Sequence, residues 1–269
     1  MVNKIKHITK EKVGHLGTLD PLATGVLPIA VGKATRFFDY FLNKEKKYYA
    51  LARFGVETNT LDSEGKIIAT SNNVKFSVED VYNAAQKLVG EKLQMPPIFS
   101  AKSVGGVRAY DAALKNQEIQ LEPKLVNVYS IDVKPWVKEG IYEFYIHCSS
   151  GTYVRSIIRD VAEILNSKAT TVVIIRTKSG AFEIENAVTI EEFESNAEKY
   201  LLPINNVLNM KTLNISLNQA RDLFSGKEIQ YDCEDGEYLT FFEGVEFSVV
   251  ECVGGKIKNK IYLYKEEKV

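Results

Sequence analysis

A chain of 269 residues, 45% hydrophobic and 26% charged, can bury one or two cores without covalent staples. A mean hydropathy of −0.14 and the lack of any apolar run of about 18 residues exclude a helical membrane span. The 34 basic and 35 acidic residues leave a net charge of −1, which excludes a histone-like or tail-driven nucleic-acid binder but not a local basic patch.

In chain order, Val2, Ile5 and Ile8 recur at three-residue steps and predict a short amphipathic helix over 2–12. Glycine and proline punctuate 14–28. Residues 47–54 predict a strand. Ser77, followed by Asp80, predicts a capped helix with Phe76 stapled onto Val81 and an apolar face of Val78, Val81, Ala85, Leu88 and Val89. Pro96, Pro97, Gly105 and Gly106 make 94–110 an ordered loop. Strands follow over 126–134 and 141–148, then a helix over Arg155–Leu165 and a buried strand on the β-branched run Thr171–Ile175. Thr189 with Glu192 and Ser216 with Gln219 cap further helices, the latter stopping at Gly226. Short strands near 237–242, 245–252 and 256–264 turn at Gly244 and Gly254-Gly255. The pattern implies an α+β fold with a large domain over 1–205 and a small, mostly β domain over 206–269.

Charge is uneven along the chain. Residues 1–60 carry ten basic and five acidic side chains, a net of +5, while 61–200 and 201–269 each carry −3. The front of the chain is therefore a candidate face for a polyanion. Cys148, Cys233 and Cys252 are too few and too scattered for a disulfide framework or a Cys-x-x-Cys zinc site. Their odd number and the absence of a signal-like apolar start point to a reducing, cytoplasmic setting. His7, His15 and His147 are far apart and form no metal-binding spacing.

The densest chemistry lies in Gly14-His15-Leu16-Gly17-Thr18-Leu19-Asp20-Pro21-Leu22-Ala23-Thr24-Gly25-Val26-Leu27-Pro28. It reads as a turn-rich loop with one carboxylate. Pro21 pushes Asp20 towards extended backbone, and Gly17 and Gly25 permit close approach by another chain or ligand. A single carboxylate on a rigid loop suits a nucleophile or base; an ordinary Asp-Pro turn has the same local signature.

The segment resembles the catalytic motif of the TruB family of tRNA pseudouridine-55 synthases. Further blocks follow in family order: Gly32-Lys33-Ala34-Thr35-Arg36, Lys47-Tyr48-Tyr49, Gln94-Met95-Pro96-Pro97-Ile98-Phe99-Ser100-Ala101, Cys148-Ser149-Ser150-Gly151-Thr152-Tyr153-Val154-Arg155 and Arg176-Thr177-Lys178-Ser179-Gly180-Ala181-Phe182. The resemblance spans about 2–190. It implies a pseudouridine-synthase core, with a mixed, mostly antiparallel sheet and flanking helices, and a small PUA-like domain.

By that resemblance Asp20 is the nucleophile on a flipped-out uridine in the T-loop of tRNA, attacking sugar or base. The base detaches, turns and rejoins through carbon, without metal or cofactor. Tyr48 is the active-site tyrosine, whose ring stacks on uracil; Tyr49 points to the opposite strand face. Arg155 pairs with and orients the catalytic carboxylate. His15, Tyr153, Thr18, Lys47 and Arg36 contact substrate. Lys4, Lys6, Lys10, Lys12, Lys33, Lys44 and Lys46 join them as phosphate candidates. The Pro96–Tyr110 loop, with Lys102 and Arg108, is a second candidate clamp. A monomer with no membrane partner is expected.

The family starts with a strand carrying Lys-Pro-x-Gly-x-Thr-Ser, whereas here Met1 falls at the following helix. The start is therefore truncated or lacks that strand, which exposes a sheet edge. If the strand is lost, the alternative is an RNA-binding or RNA-folding protein with weak or no catalysis; the intact Asp20, Tyr48 and Arg155 favour the enzyme. Leu16, Asn59, Phe99 and Ile175 replace commoner family residues. Asp232, Glu234, Asp235 and Glu237 repel phosphate, so the small domain binds RNA weakly or at its Lys256–Lys260 side. A glycosidic hydrolase needs two acids, and the sequence marks no partner carboxylate for Asp20.

Overall fold

The computed structural model describes residues 1–42, 44–99, 103–104, 107–108 and 121–263, with backbone only at 103–104 and 107–108. Lys102 and the side chain of Arg108, expected in the clamp loop, lie outside the described residues. In chain order the elements begin with α1 (Val2–Thr9), β1 (Val13–His15), β2 (Thr24–Gly25), β3 (Ile29–Val31), a 3-10 turn (Gly32–Phe37), α2 (Phe38–Leu42), β4 (Lys46–Phe54), β5 (Val56–Thr58) and β6 (Ile67–Thr70). They continue with α3 (Val78–Gln86), β7 (Gly90–Gln94), β8 (Ser103–Val104), β9 (Val107–Arg108), β10 (Lys124–Pro135), β11 (Ile141–Cys148), α4 (Val154–Ile164), β12 (Ala169–Ser179) and β13 (Phe182–Glu183). The remainder is α5 (Ile190–Ser195), α6 (Ala197–Tyr200), α7 (Asn205–Leu208), β14 (Lys211–Asn214), α8 (Leu217–Phe224), β15 (Ile229–Gln230), β16 (Gly236–Phe242), β17 (Val245–Val253) and β18 (Lys256–Tyr262).

The chain forms two compact units, one of 1–15, 29–39 and 188–269, the other of 16–28 and 40–187. In the second unit a seven-stranded sheet runs β13-β12-β4-β11-β10-β7, and β2 pairs with β12. Every pairing is antiparallel except the short parallel match of Thr24 and Gly25 to Ile175 and Arg176. The strands alternate because one sheet face meets α3 and α4: Ala50, Ala52 and Phe54 from β4 join Phe144 and Ile146 from β11 and Ile157, Ile158 and Val161 from α4 in the core. The capping box predicted at Ser77 and Asp80 fixes the start of α3.

In the first unit β1 pairs with β3, and a five-stranded sheet runs β14-β16-β17-β18-β15. Helix α8, opened by the predicted Ser216–Gln219 box, buries Ala220 and Leu223 against Tyr238, Phe247, Val250 and Ile257. Lys10 takes a left-handed conformation, φ 55°, so α1 ends sooner than its periodicity predicts. Cys233 and Cys252 form a disulfide, a pairing that their scatter along the chain does not reveal. Strand register explains it: Gly236, close behind Cys233, lies opposite Cys252. Cys148 is free and buried.

Candidate active site

The glycine- and proline-punctuated loop is held by residues remote in sequence. A turn closes where Ala23 donates its amide to the Asp20 carbonyl at 2.9 Å. Beyond it, the Val26 amide donates to the Arg176 carbonyl at 2.9 Å. The Arg176 side chain answers in the other direction: Nε donates to the Val26 carbonyl at 2.8 Å, Nη1 to that of Thr18 at 3.2 Å and Nη2 to that of Gly17 at 3.0 Å. Gly25, φ 97°, lies so close to the Arg176 backbone that a side chain has no room. Both arms of the loop are thus tied to β12, and the Asp20 carboxylate projects from a rigid support.

Arg155 meets that carboxylate from the first turn of α4. The guanidinium is only 2% exposed, and all of its N–H groups are used. Nε donates to Asp20 Oδ2 at 2.9 Å and Nη2 reaches the same oxygen at 2.8 Å. Nη2 also donates to the Phe99 carbonyl at 3.0 Å, while Nη1 donates to the Thr60 carbonyl at 2.7 Å and Asp62 Oδ2 at 3.1 Å. Asp62 is buried, and its Oδ1 accepts from Thr60 Oγ1 and the Glu64 amide. One arginine therefore bridges two carboxylates, one locked in protein and one facing a pocket. Asp62 is a carboxylate that the sequence did not single out beside Asp20. Its oxygens are already occupied by donors, so it positions Arg155 and does not serve as a second free acid.

The pocket encloses about 520 Å³ and is lined by Asp20, Thr18, Tyr48, Tyr153, Arg176 and Lys46, among others. Tyr48 comes from β4 with its ring against the core. Burial pushes its hydroxyl up to about 12, against the opposing pull of the neighbouring Arg176 guanidinium. At neutral pH Tyr48 is therefore an apolar platform with a protonated hydroxyl. Tyr49 faces away, as alternation requires, and donates to Glu143 at 2.9 Å. Tyr153 caps α4, and Gln94 pins its backbone: the amide of Tyr153 donates to Gln94 Oε1 at 2.8 Å, and Gln94 Nε2 donates back to its carbonyl at 3.1 Å. This reciprocal pair gives the Gln-x-Pro-Pro segment its structural purpose, and Pro96 lines the pocket.

Asp20, Tyr48, Arg155, Thr18 and Tyr153 thus converge in one unit. Lys47 lies on the strand face opposite Tyr48; the β4 lysine that lines the pocket is Lys46, and Lys124 of β10 lines it as well. The period-two alternation of β4 carries that signal in the sequence. His15 and Arg36 belong to the other unit; His15 Nδ1 is buried without a hydrogen-bond partner among the described residues, and Arg36 Nη1 donates to the Tyr262 carbonyl at 3.0 Å. Lys4 is engaged with Glu191 and Glu194. Asp62 and the clamping role of Arg176 have no local sequence signature. Among the described residues no group of three His, Cys, Asp or Glu is placed to hold a metal ion, and no helix is long and apolar enough to cross a membrane.

The profile described as "TruB family pseudouridylate synthase (N terminal domain)" matches residues 5–154. The chain belongs to the TruB family. It is 40% identical over 210 residues to the tRNA pseudouridine synthase B of Clostridium tetani, covering 77% of this chain and 72% of that one. The tRNA pseudouridine synthase B of Mycoplasma mobile is 35% identical over 257 residues, 95% of this chain and 86% of the relative. A solved structure, an H/ACA RNP bound to a substrate RNA containing 2'-deoxyuridine, includes a chain with a TM-score of 0.68 at 18% identity, covering 99% of this chain and 81% of that chain. At that identity the likeness is one of fold.

Proposed function

We propose that this TruB-family chain isomerises uridine to pseudouridine in the T-loop of tRNA, at position 55, with Asp20 as nucleophile. The observation that carries the reading is the Asp20 carboxylate, fixed by Arg155 on a clamped loop in the wall of a pocket shared with Tyr48. Relatives that share most of the chain are named tRNA pseudouridine synthase B, and the substrate class follows from them.

The reaction needs little besides these groups. Extruding the uridine costs a few kcal/mol, and stacking on the Tyr48 ring returns roughly 1–3 kcal/mol. Asp20 adds to the ribose anomeric carbon or to the base, the glycosidic bond to nitrogen breaks, and the base turns. A carbon–carbon bond then forms at C5, the C5 proton leaves to solvent while the freed N1 takes one up, and Asp20 is released. Nothing is oxidised or hydrolysed, so no metal or organic cofactor is required. His15, Tyr153, Thr18, Lys47 and Arg36 contact the RNA, supported by the positive charge of 1–60. In this reading 1–205 is the catalytic domain and 206–269 a small PUA-like domain, and the protein works as a monomer.

Asp20→Asn tests the reading. Pseudouridine formation on unmodified tRNA is abolished while affinity for the RNA stays within about threefold, because the amide keeps the size and polarity of the carboxylate. Retained turnover would remove Asp20 from its role.

A further inference from the structure

We propose that the pocket contains a phosphate subsite built on Lys46, whose ammonium, beside the Arg176 guanidinium, receives a phosphodiester oxygen of the nucleotide that enters. The subsite rests on the reading of the chain as an enzyme acting on RNA.

Lys46 opens β4 and shares a strand face with Tyr48. Its side chain lines the pocket, yet the residue is only 5% exposed. Nζ donates to the Leu42 carbonyl at 3.1 Å and the Lys44 carbonyl at 2.6 Å. An ammonium has three donors, so one is left without a partner among the described residues. Among the described residues no carboxylate pairs with it. Burying an ammonium without an anion is costly, and neutral carbonyls offset only part of that cost. Burial, reinforced by the neighbouring Arg176 charge, lowers Lys46 to about 8.

Arg176 is equally buried and spends its guanidinium donors on the carbonyls of Val26, Thr18 and Gly17. It too has no carboxylate partner among the described residues. This contrasts with Arg155, which is matched by both Asp20 and Asp62. Two adjacent cations without carboxylates leave a surplus of positive charge in the pocket. Lys124, at the pocket wall beside Gly151, adds a third. A carbonyl cap alone does not call for this charge, since an amide side chain can donate to the same carbonyls. An RNA diester supplies one negative charge and good acceptors to the unused donor.

The test uses the full-length protein and a T-arm stem-loop RNA. A methylphosphonate neutralises, one at a time, the phosphate on either side of the target uridine or one in the distant stem. Filter binding reads affinity without turnover. The wild type loses about tenfold at one flanking position and about twofold or less in the stem, the size of one charged hydrogen bond. Lys46→Gln binds the unsubstituted RNA about tenfold more weakly and loses nothing further at that flank; Lys46→Met serves as the second neutral variant. A full flank penalty in a folded neutral variant overturns the subsite. So does an equal loss at flanking and stem positions in the wild type, a comparison that needs no variant. Pseudouridine formation by the wild type on the unsubstituted RNA is followed in parallel. Its absence counts against the proposed function, whereas normal conversion with an unselective phosphate response counts against the subsite alone.

Discussion

In the five-stranded sheet, Lys258 and Lys260 face Glu228, Glu237 and Glu251 at 2.6–3.6 Å, with side chains a third or more exposed. In the pocket, Lys46 and Arg176 are almost wholly buried and face carbonyl oxygens. The exposed pairs are screened by water and each contributes about 0–1 kcal/mol. The buried cations are unscreened, so each either has an anion nearby or bears a desolvation cost. A net charge of −1 describes neither set. What separates them is where each side chain lies and which oxygens it meets.

The widest expected gap between the two regions is at Arg155. Arg155→Ala leaves Asp62 buried without its cation, a loss of about 3–5 kcal/mol, and frees Asp20 to swing, so conversion is lost as well. Urea unfolding reads the first effect and a pseudouridine assay the second; a stability loss below about 1 kcal/mol would put Arg155 in the same class as the surface lysines.

Arg176→Ala comes next. It strips donors from the carbonyls of Val26, Thr18 and Gly17 and destabilises by about 2–3 kcal/mol. The loosened Asp20 loop lowers kcat more than it raises KM. Arg176→Lys restores little, since one ammonium cannot span the fork of a guanidinium. Full rescue by lysine would show that charge, and not the clamp, is what matters.

Lys46 sharpens the comparison through pH. Burial moves it from 10.5 to about 8, with Arg176 adding to the effect and Cys148 opposing it. Between those values the unfolded chain holds a proton that the native chain has released. The stability of the wild type relative to Lys46→Gln therefore rises with pH across this window. Affinity for RNA, relative to the same variant, falls across it. Denaturation and binding at about pH 7 and about pH 9.5 separate these opposite slopes, and parallel slopes would deny the lysine its buried charge.

The smallest effect is on the surface. Lys260→Ala removes its pairs with Glu237 and Glu251 and changes stability by less than about 0.5 kcal/mol. RNA affinity moves less than about twofold, because the lysine is already neutralised by neighbours.

Legibility in the sequence followed the range of the interactions. The boxes at Ser77, Thr189 and Ser216 are local, and each could be read from a few neighbouring residues. The β-branched run at 171–175 marked β12, but its full extent to Ser179 depends on bulges against β4. In the site, the Asp20–Arg155 pair came from family motifs, since nothing near either residue announces the other. Asp62 has an equally distant partner and no motif reading, so only the fold exposes it. The two short matches, β1 with β3 and β2 with β12, hid inside a stretch that reads locally as turns. Lys46 was legible in principle: counting back from Tyr48 by two puts both on one strand face.

The clamp on the Asp20 loop also orders events during synthesis. Gly17, Thr18 and Val26 leave the ribosome early, whereas Arg176, which holds all three carbonyls, is made some 150 residues later. At about 5–20 residues per second, the loop waits roughly 8–30 s for its anchor. Until β12 is in place the nucleophile has no fixed wall to project from. A nascent chain stalled before Arg176 therefore carries every residue of the loop and still has no assembled pocket.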